Sequence, residues 1–269
     1  MASVKGKTAL ITGGAGGIGF HTARAFLAEG ASVILTDVRE DALQEAKDKL
    51  EAPGRAAGRV SVHLNDVTDH GQVEALFRET GPVDILVNNA GIGFSSEFRN
   101  TRMEDLKRLV DINIWGTLHF VKVYLPPMIE RRSGHIVNIS SGQAFFPVPT
   151  WGVYAATKSF VAAFSEALHY EAARFGVRVT TVFPYVVGTG FYSDIATPTP
   201  GSKWMIKLLP LYSTTPEKTG RIIVRAVKKG KKNEMHHPMN ALNYYLGRLF
   251  PHVVEATGRT VAWALTKQA

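Results

Sequence analysis

Cysteine is absent from the 269 residues of the chain. Without thiols the protein can form neither disulfide bonds nor thiolate metal sites, and catalysis by a cysteine nucleophile is excluded. A protein that uses no disulfides suits a reducing compartment. We therefore expect a cytoplasmic protein whose stability comes from a buried core.

Long hydrophobic runs are also missing. No stretch of 18 apolar residues occurs, whereas a membrane-spanning helix needs about 20. The first residues lead directly into a short apolar run and show no charged-then-apolar targeting segment. We expect neither secretion nor a membrane span.

Acidic residues are scarce in one segment of the chain. Residues 203–232 contain nine Lys and Arg but one Glu, and this segment accounts for the whole formal charge of +8. Cations at the end of a helix stabilise its dipole without a partner, which favours a solvated face. The alternatives are peripheral contact with an anionic membrane surface or an acidic substrate such as a coenzyme A or carrier-protein thioester. No nucleic-acid partner is expected, because the basic run lacks a recognised reader motif.

Composition and periodicity predict an α/β fold. Hydrophobic residues make up 45% of the chain and charged residues 20%, as in ordinary globular proteins. Short β-branched runs alternate with longer stretches whose apolar residues recur every three or four positions, a pattern typical of βαβ units. Strands are expected at 7–12, 32–37, 59–64, 83–88, 134–140 and 177–183, and helices at 17–30, 39–51, 69–80, 102–132 and 152–175. We predict one Rossmann-type domain over 1–269, a doubly wound parallel sheet of about seven strands with helices on both faces.

A glycine-rich segment follows the first predicted strand. Residues 12–19 read TGGAGGIG and open the next predicted helix. Backbone N–H groups at a helix N-terminus bind phosphate, and glycine lets the backbone approach a pyrophosphate closely. A dense glycine turn can also be a simple tight connection, but its place between strand and helix favours a dinucleotide site.

A carboxylate, Asp37, ends the second predicted strand. At this position of a dinucleotide fold it accepts hydrogen bonds from a ribose diol and repels a 2′-phosphate. NAD is therefore the expected cofactor and NADP the less favoured one, although Arg39 leaves room for NADP. The alternative role of Asp37 is to cap the following turn.

Tyr154 and Lys158 are four residues apart in a predicted helix, so both side chains emerge on one face. A nearby cation lowers the pKa of a tyrosine, and a proton donor near working pH suits carbonyl reduction or alcohol oxidation. Ser141 lies just past a predicted strand end, where its hydroxyl could hold a substrate oxygen. Taken alone, such a pair is usually surface and such a serine usually part of a turn.

Together these features closely resemble the short-chain dehydrogenase/reductase family, from about Lys7 to Thr189. The family's phosphate turn, its N-N-A-G motif over 88–91 and its catalytic tetrad of Asn113, Ser141, Tyr154 and Lys158 are all matched. The resemblance implies that the cofactor is bound by Gly13, Gly17, Ile18, Gly19, Asp37, Asp66, Val67, Asn89, Ala90, Gly91, Tyr154, Lys158, Pro184 and Thr189.

The resemblance also implies the role of each catalytic residue. Tyr154 would exchange the proton, Ser141 would polarise the substrate oxygen, and Lys158 would also bind the nicotinamide ribose. Asn113 would hold a water that links Lys158 to solvent, or would be a satisfied buried amide. One departure is that Tyr185 follows Pro184 where the family has glycine. No metal site is implied.

The substrate site is expected at the ends of the fifth and sixth strands, and residues 185–215 are expected to form its lid. The residues there are mostly apolar and aromatic: Ser141, Gln143, Phe145, Phe146, Val148, Trp151, Tyr154, Tyr185, Val186, Phe191 and Tyr192. They favour a lipophilic secondary alcohol or ketone, steroid-like or long-chain, over a sugar. The C-terminal extension over 239–269 could serve as oligomer interface, lid support or membrane contact.

Two other functions are kept as alternatives. One is reduction of a 3-ketoacyl thioester, against which the NAD preference counts. The other is a non-catalytic NAD-binding interaction or sensor module, against which the intact tetrad counts. The family resemblance implies a homodimer or homotetramer formed through the two long helices near 102–132 and 152–175.

Overall fold

The computed structural model describes residues 2–52, 56–189, 191 and 213–249, and beyond these residues 252, 255, 256 and 258–261. Most of the predicted lid over 185–215, including Tyr192, therefore lies outside the described residues. The predicted extension over 239–269 is described mainly as far as residue 249.

Seven parallel strands form one sheet in the order β3-β2-β1-β4-β5-β6-β7. They are β1 (Thr8–Thr12), β2 (Ser32–Asp37), β3 (Val60–Leu64), β4 (Ile85–Asn88), β5 (Gly134–Ile139), β6 (Val177–Phe183) and β7 (Asn233–Met235). The strand order reverses between β1 and β4, and ligands of such sheets bind outside the carboxyl ends of the strands at that point. The predicted doubly wound Rossmann fold is confirmed.

Helices cover both faces of the sheet. They are α1 (Gly17–Ala28), α2 (Glu40–Glu51), α3 (His70–Thr80), α4 (Met103–Val110), α5 (Gly116–Glu130), α6 (Gly152–Ala173), α7 (Pro216–Lys229) and α8 (Pro238–Leu249). Successive side chains of β1 point to opposite faces of the sheet. Ile11 packs in the core that contains Phe26 of α1, whereas Leu10 packs in the core that contains Phe120 of α5. This alternation fixes each strand between two apolar layers.

Two elements differ from the sequence prediction. The single helix expected over 102–132 is interrupted by a wider π-helical turn over Asp111–Trp115, which separates α4 from α5. The seventh strand, β7, has only three residues, and its buried Glu234 pairs with Lys231 at 2.6 Å. A run that short with a charged residue inside carries no strand pattern, so its position could not be predicted.

A buried histidine makes stability sensitive to acid. His135 of β5 is buried, with its Nε2 2.7 Å from Thr180 Oγ1, and burial, aided by Arg178, lowers its pKa from 6.5 to about 4. As the pH falls below 6.5, the unfolded chain takes up a proton at His135 that the folded chain does not bind until about pH 4. The free energy of unfolding should therefore fall through this window, by up to about 1.4 kcal/mol per pH unit from this group.

Urea unfolding above and within that pH window measures this contribution. His135→Gln should show a shallower loss of stability with falling pH than the unsubstituted protein, because one of the groups that titrate differently in the two states is gone, while His21 and His236, whose pKa values burial also lowers, keep the rest of the slope. His252→Gln, at an exposed position, is the control. An unchanged pH slope in His135→Gln would contradict the assignment.

Candidate active site

Hydrogen bonds join the glycine-rich turn to the segment after β4. Thr12 Oγ1 accepts from the backbone N–H groups of Asn89 and Ala90 at 3.0 and 2.9 Å, and Asn89 Nδ2 donates to the carbonyl of Gly13 at 3.1 Å. Gly19 is buried behind the turn, where a Cβ would overlap the Gly13 carbonyl. Gly19 thus permits the turn to close but does not itself line the cavity beside it.

Asp37 lies at the end of β2 and faces the same turn. Its Oδ2 is 3.4 Å from the Ala15 N–H, and its Oδ1 accepts from the Arg39 backbone N–H and Nε at 3.3 and 3.1 Å. The Asp37 side chain is 8% exposed and that of Arg39 64%. A carboxylate and an exposed cation therefore share the place where a cofactor ribose would lie, and they have opposite preferences for a 2′-phosphate.

The segment that follows β3 forms the far end of the groove that runs from the glycine-rich turn past Asp37. Asp66 Oδ1 accepts from the backbone N–H and hydroxyl of Thr68 at 2.9 and 2.8 Å, which holds the Asp66–Val67 segment in a turn. Asp66 and Val67 line the cavity together with Ile112. A polar group beside two apolar side chains suits one edge and the faces of a planar base.

Tyr154 and Lys158 project from the first turns of α6 and are both buried, beside Ser141 at the end of β5. Lys158 Nζ donates to the Ile139 carbonyl at 3.1 Å and lies 5.9 Å from the centre of the Tyr154 ring. The Ser141 hydroxyl accepts from the Gln143 N–H at 3.2 Å and also interacts with Tyr154. The three side chains predicted to act together therefore converge.

The expected direction of the tyrosine pKa shift is wrong for the free chain. Burial raises the pKa of Tyr154 to about 12, although the hydrogen bond with Ser141 lowers it in part. Burial also lowers the pKa of Lys158 to about 8. Desolvation disfavours both charged forms, whereas the sequence prediction relied on the attraction between phenolate and ammonium.

Asn113 sits in the π-helical turn and is buried. Its Oδ1 accepts from the Ile92 N–H at 2.9 Å, and its Nδ2 donates to the Ile92 carbonyl and to Thr157 Oγ1 at 3.0 and 3.1 Å. Asn113 does not line the cavity, but its Oδ1 and the Lys158 Nζ both border Gly91. The side-chain amide is thus satisfied and ties the π-helical turn to the loop after β4 and to α6.

One cavity of about 1560 Å³ runs from the glycine-rich turn to the first turns of α6. Its volume exceeds the range of about 300–1,000 Å³ typical of a single-ligand site, so there is room for two ligands side by side. Most of the predicted site residues line it: Gly13, Gly17, Ile18, Asp37, Asp66, Val67, Asn89, Ala90, Gly91, Ser141, Gln143, Trp151, Tyr154, Lys158, Pro184, Tyr185, Thr189 and Phe191. The described ends of the lid meet beside it, where Val187 bridges to Thr214.

The prediction for Phe145 requires correction. Its ring does not line the cavity but packs against Phe183 at 4.5 Å and Tyr244 at 4.8 Å between ring centres. The neighbouring Phe146 faces the cavity instead. A short 3₁₀ turn over Gly142–Ala144 sets these orientations, and the sequence carries no pattern that predicts it.

Other lining residues were not among the predictions. Asn240 of α8 reaches the cavity from the C-terminal region, and α4 together with the residues on either side of it forms a charged wall with both signs: Arg102, Glu104, Asp105, Lys107, Arg108 and Asp111. The charged periodicity of α4 is visible in the sequence, but only the packing of α4 beside the cavity shows where it faces.

Three lysines of the basic segment pair with carboxylates of the chain. Lys228 bonds Glu29 at 2.7 Å, Lys231 bonds Glu234 at 2.6 Å and Lys232 bonds Glu166 at 2.6 Å. These pairs favour the solvated interpretation of the lysines over contact with an anionic membrane. The stretch 203–209 of the same segment lies outside the described residues.

In the described part of the chain, no helix is both long and apolar enough to cross a lipid bilayer. Within the same ranges, no three His, Asp or Glu side chains come together as a group that could hold a metal ion.

A family model described as short chain dehydrogenase matches residues 7–199. Among curated proteins, an uncharacterized oxidoreductase from Staphylococcus epidermidis is 36% identical over 189 residues, which cover 70% of this chain and 81% of that protein. A dehydrogenase/reductase SDR family protein 7-like from Anopheles gambiae is 31% identical over 257 residues, covering 93% of this chain and 81% of that protein.

Solved structures of similar proteins extend the match to the fold. A short chain dehydrogenase/reductase from Burkholderia phymatum in complex with NAD has a TM-score of 0.85 at 26% identity and covers 94% of this chain and 96% of its own. A serine dehydrogenase complexed with NADP⁺ has a TM-score of 0.74 at 31% identity, covering 84% and 91%. A 3-oxoacyl-[acyl-carrier protein] reductase with bound NAD from Brucella melitensis has a TM-score of 0.75 at 27% identity, covering 87% and 90%.

Proposed function

The chain belongs to the short-chain dehydrogenase/reductase family and is an oxidoreductase that uses NAD or NADP, and we propose that it transfers a hydride between NAD(H) and a lipophilic secondary alcohol or ketone. The observation that carries the proposal is the convergence of Tyr154, Lys158 and Ser141 at one end of the cavity whose other end holds the glycine-rich turn. Proton exchange and dinucleotide binding thus share one site.

Residues of the chain fit a dinucleotide along the whole groove. The turn over 12–19 offers backbone N–H groups to a pyrophosphate, Asp37 offers a carboxylate to a ribose, and the Asp66–Val67 segment borders a base. When bound there, the nicotinamide supplies the hydride acceptor for oxidation and the hydride donor for reduction.

The buried side chains of Tyr154, Ser141 and Lys158 carry out the proton transfer. In oxidation the Tyr154 oxygen accepts the proton of the substrate hydroxyl while the carbinol carbon loses a hydride. In reduction the carbonyl carbon gains a hydride and the Tyr154 hydroxyl donates its proton to the carbonyl oxygen. Ser141 donates a hydrogen bond that fixes the substrate oxygen, and the Lys158 ammonium stabilises the phenolate. The Lys158 pKa of about 8 keeps this amine mostly protonated at neutral pH.

The substrate end of the cavity is mainly apolar. Its lining includes Phe146, Val148, Trp151, Tyr185, Val186 and Phe191, while Ser141, Gln143 and Tyr154 provide the polar groups. A pocket with a few convergent polar groups on an aromatic surface suits a substrate with one reacting hydroxyl on an extended apolar body. A sugar would leave most of its hydroxyl groups without partners.

A substrate panel tests the proposed function. NAD or NADP is paired with each of a set of lipophilic, sugar-like and 3-hydroxyacyl thioester alcohols, and the absorbance of the NADH or NADPH formed is followed. Turnover with NAD and a lipophilic alcohol is the expected result. Preference for the sugar-like alcohols would overturn the substrate class. NAD binding without turnover across the whole panel would favour the non-catalytic module.

Asp37 provides the basis for the proposed preference for NAD. Asp37→Ala should reduce the ratio of kcat/KM with NAD to that with NADP by about tenfold or more, because the repulsion of a 2′-phosphate is removed and Arg39 is released toward it. Arg39→Ala should change the ratio in the opposite sense. Steady-state kinetics with both cofactors measure the ratio, with the exposed Asp48→Ala as control. An unchanged ratio in Asp37→Ala would refute this role.

Reduction of a 3-ketoacyl thioester is the second candidate function. The similarity to the Brucella reductase favours it, as do Arg102, Lys107 and Arg108, which border the cavity and could receive the phosphates of an acyl carrier. Turnover of the thioester alcohols in the panel at a higher kcat/KM than the free lipophilic alcohols would select it.

We further propose a homodimer or homotetramer formed through α4, α5 and α6. The π-turn and α6 expose large apolar side chains, Trp115 at 51%, Phe160 at 39% and Tyr170 at 61%. Apolar surface of this kind is favourably covered by a second copy. A cytoplasmic location is proposed on the absence of cysteine.

A further inference from the structure

The C-terminal helix α8 contacts both loops that carry the reacting end of the cavity. Asn240 is fully buried, and its Nδ2 donates to the Phe183 carbonyl at the end of β6 at 2.6 Å. Its Oδ1 lies against Gly142, directly after Ser141. One side chain of α8 therefore joins the ends of β5 and β6.

A hydrogen bond couples the same two loops directly. The Gly142 N–H donates to the Pro184 carbonyl at 2.9 Å, which ties the loop after β5 and the loop after β6 into one packed unit. Asn240 packs on this unit from outside the sheet. A shift of Asn240 would be transmitted to Gly142 and hence to Ser141.

Aromatic contacts add to the hydrogen bond of the Asn240 side chain. Phe145 lies between Phe183 and Tyr244 of α8, and His237 stacks on Tyr185 with ring centres 5.0 Å apart. These contacts explain why Phe145 turns away from the cavity. Together with Asn240, Tyr244 of α8 and His237 just before it pack against the loops at several points.

The identity of residue 142 fits this arrangement. Gly142 does not have a positive φ, so its backbone conformation is open to other residues. A Cβ at this position would overlap Asn240 Oδ1. Space for the asparagine, rather than backbone freedom, is therefore the reason that a glycine follows Ser141.

We propose that Asn240 is a positioning residue that, through its contact with Gly142 and Phe183, sets the location of the Ser141 hydroxyl in the substrate cavity. The proposal rests on the proposed function, in which Ser141 holds the substrate oxygen. It assigns α8 a part in the reaction that no residue of the catalytic set provides. Asn240 acts through Ser141 and does not exchange a proton.

A double-mutant cycle tests the contact. Asn240→Ala should reduce kcat/KM for the alcohol by about tenfold or more, because a small displacement of a positioned group is costly, while the Kd for NAD stays within about twofold. Gly142→Ala alone should be similarly harmful, whereas Gly142→Ala added to Asn240→Ala should cause no further loss, since the overlapping atom is gone. Leu242→Ala, at a 49% exposed position of α8, is the matched control.

Hydrogen–deuterium exchange provides a readout that does not need turnover. Amides of residues 142–146 should exchange faster in Asn240→Ala than in Leu242→Ala, at a temperature well below the melting transition of both. If turnover is absent from the unsubstituted protein but this exchange differs, the proposed function fails and the positioning contact stands. Additive losses in the cycle, or unchanged kinetics and exchange in Asn240→Ala, would overturn the inference.

Discussion

Tyr154→Phe should lower kcat by about two to four orders of magnitude while the Kd for NAD changes by no more than about twofold. The phenyl ring keeps the packing of Tyr154 against Trp151, whose ring centre is 5.5 Å away, but the transferable proton is lost. Stopped-flow turnover and the quenching of tryptophan fluorescence on titration with NAD measure the two quantities separately.

A tyrosine on the same helix supplies the control for this substitution. Tyr170 of α6 is 61% exposed, and Tyr170→Phe should leave kcat unchanged. Retention of near-normal turnover in Tyr154→Phe would show that another group exchanges the proton.

Lys158→Met should have an effect of similar size but a different signature. The substitution removes a buried ammonium beside Tyr154, so kcat should fall by about two orders of magnitude or more. The Kd for NAD should also rise, because the proposed contact with the nicotinamide ribose is lost. A fall in kcat together with weaker NAD binding distinguishes this variant from Tyr154→Phe.

Lys229→Met is the control for the lysine, since Lys229 is exposed at the end of α7 and does not line the cavity. Both variants are measured by the same turnover and NAD titrations. Unaltered NAD affinity in Lys158→Met would contradict the ribose contact, and unaltered kcat would contradict the role of the ammonium.

Much of the fold could be predicted because buried parallel strands have a strong sequence signal. Strands such as β1 and β6 are nearly continuous runs of apolar and β-branched residues, and the helices between them carry a regular apolar stripe. β7 is too short to give such a signal. The π-helical turn at Asn113 arises inside an otherwise helical pattern, where periodicity cannot reveal it.

The candidate site could be predicted where its residues follow the ends of strands. It was less predictable where side-chain packing decides which residues line the cavity. The glycine-rich turn, Asp37, Ser141 and the Tyr154–Lys158 pair were found from spacing and resemblance. The direction of the Tyr154 pKa shift was missed because the sequence does not show how deeply the phenol is buried. Asn240 lies about a hundred residues beyond Ser141, and only the packing of α8 brings the two loops and the helix together.

Isotope transfer tests the central claim most directly. NADH that carries deuterium at the transferable position is incubated with the ketone of the best alcohol in the panel, and the product is examined by mass spectrometry. We expect one deuterium on the carbinol carbon with the unsubstituted protein and almost none with Tyr154→Phe. A product without deuterium, or a ketone left unchanged although NADH binds, would contradict hydride transfer at this site.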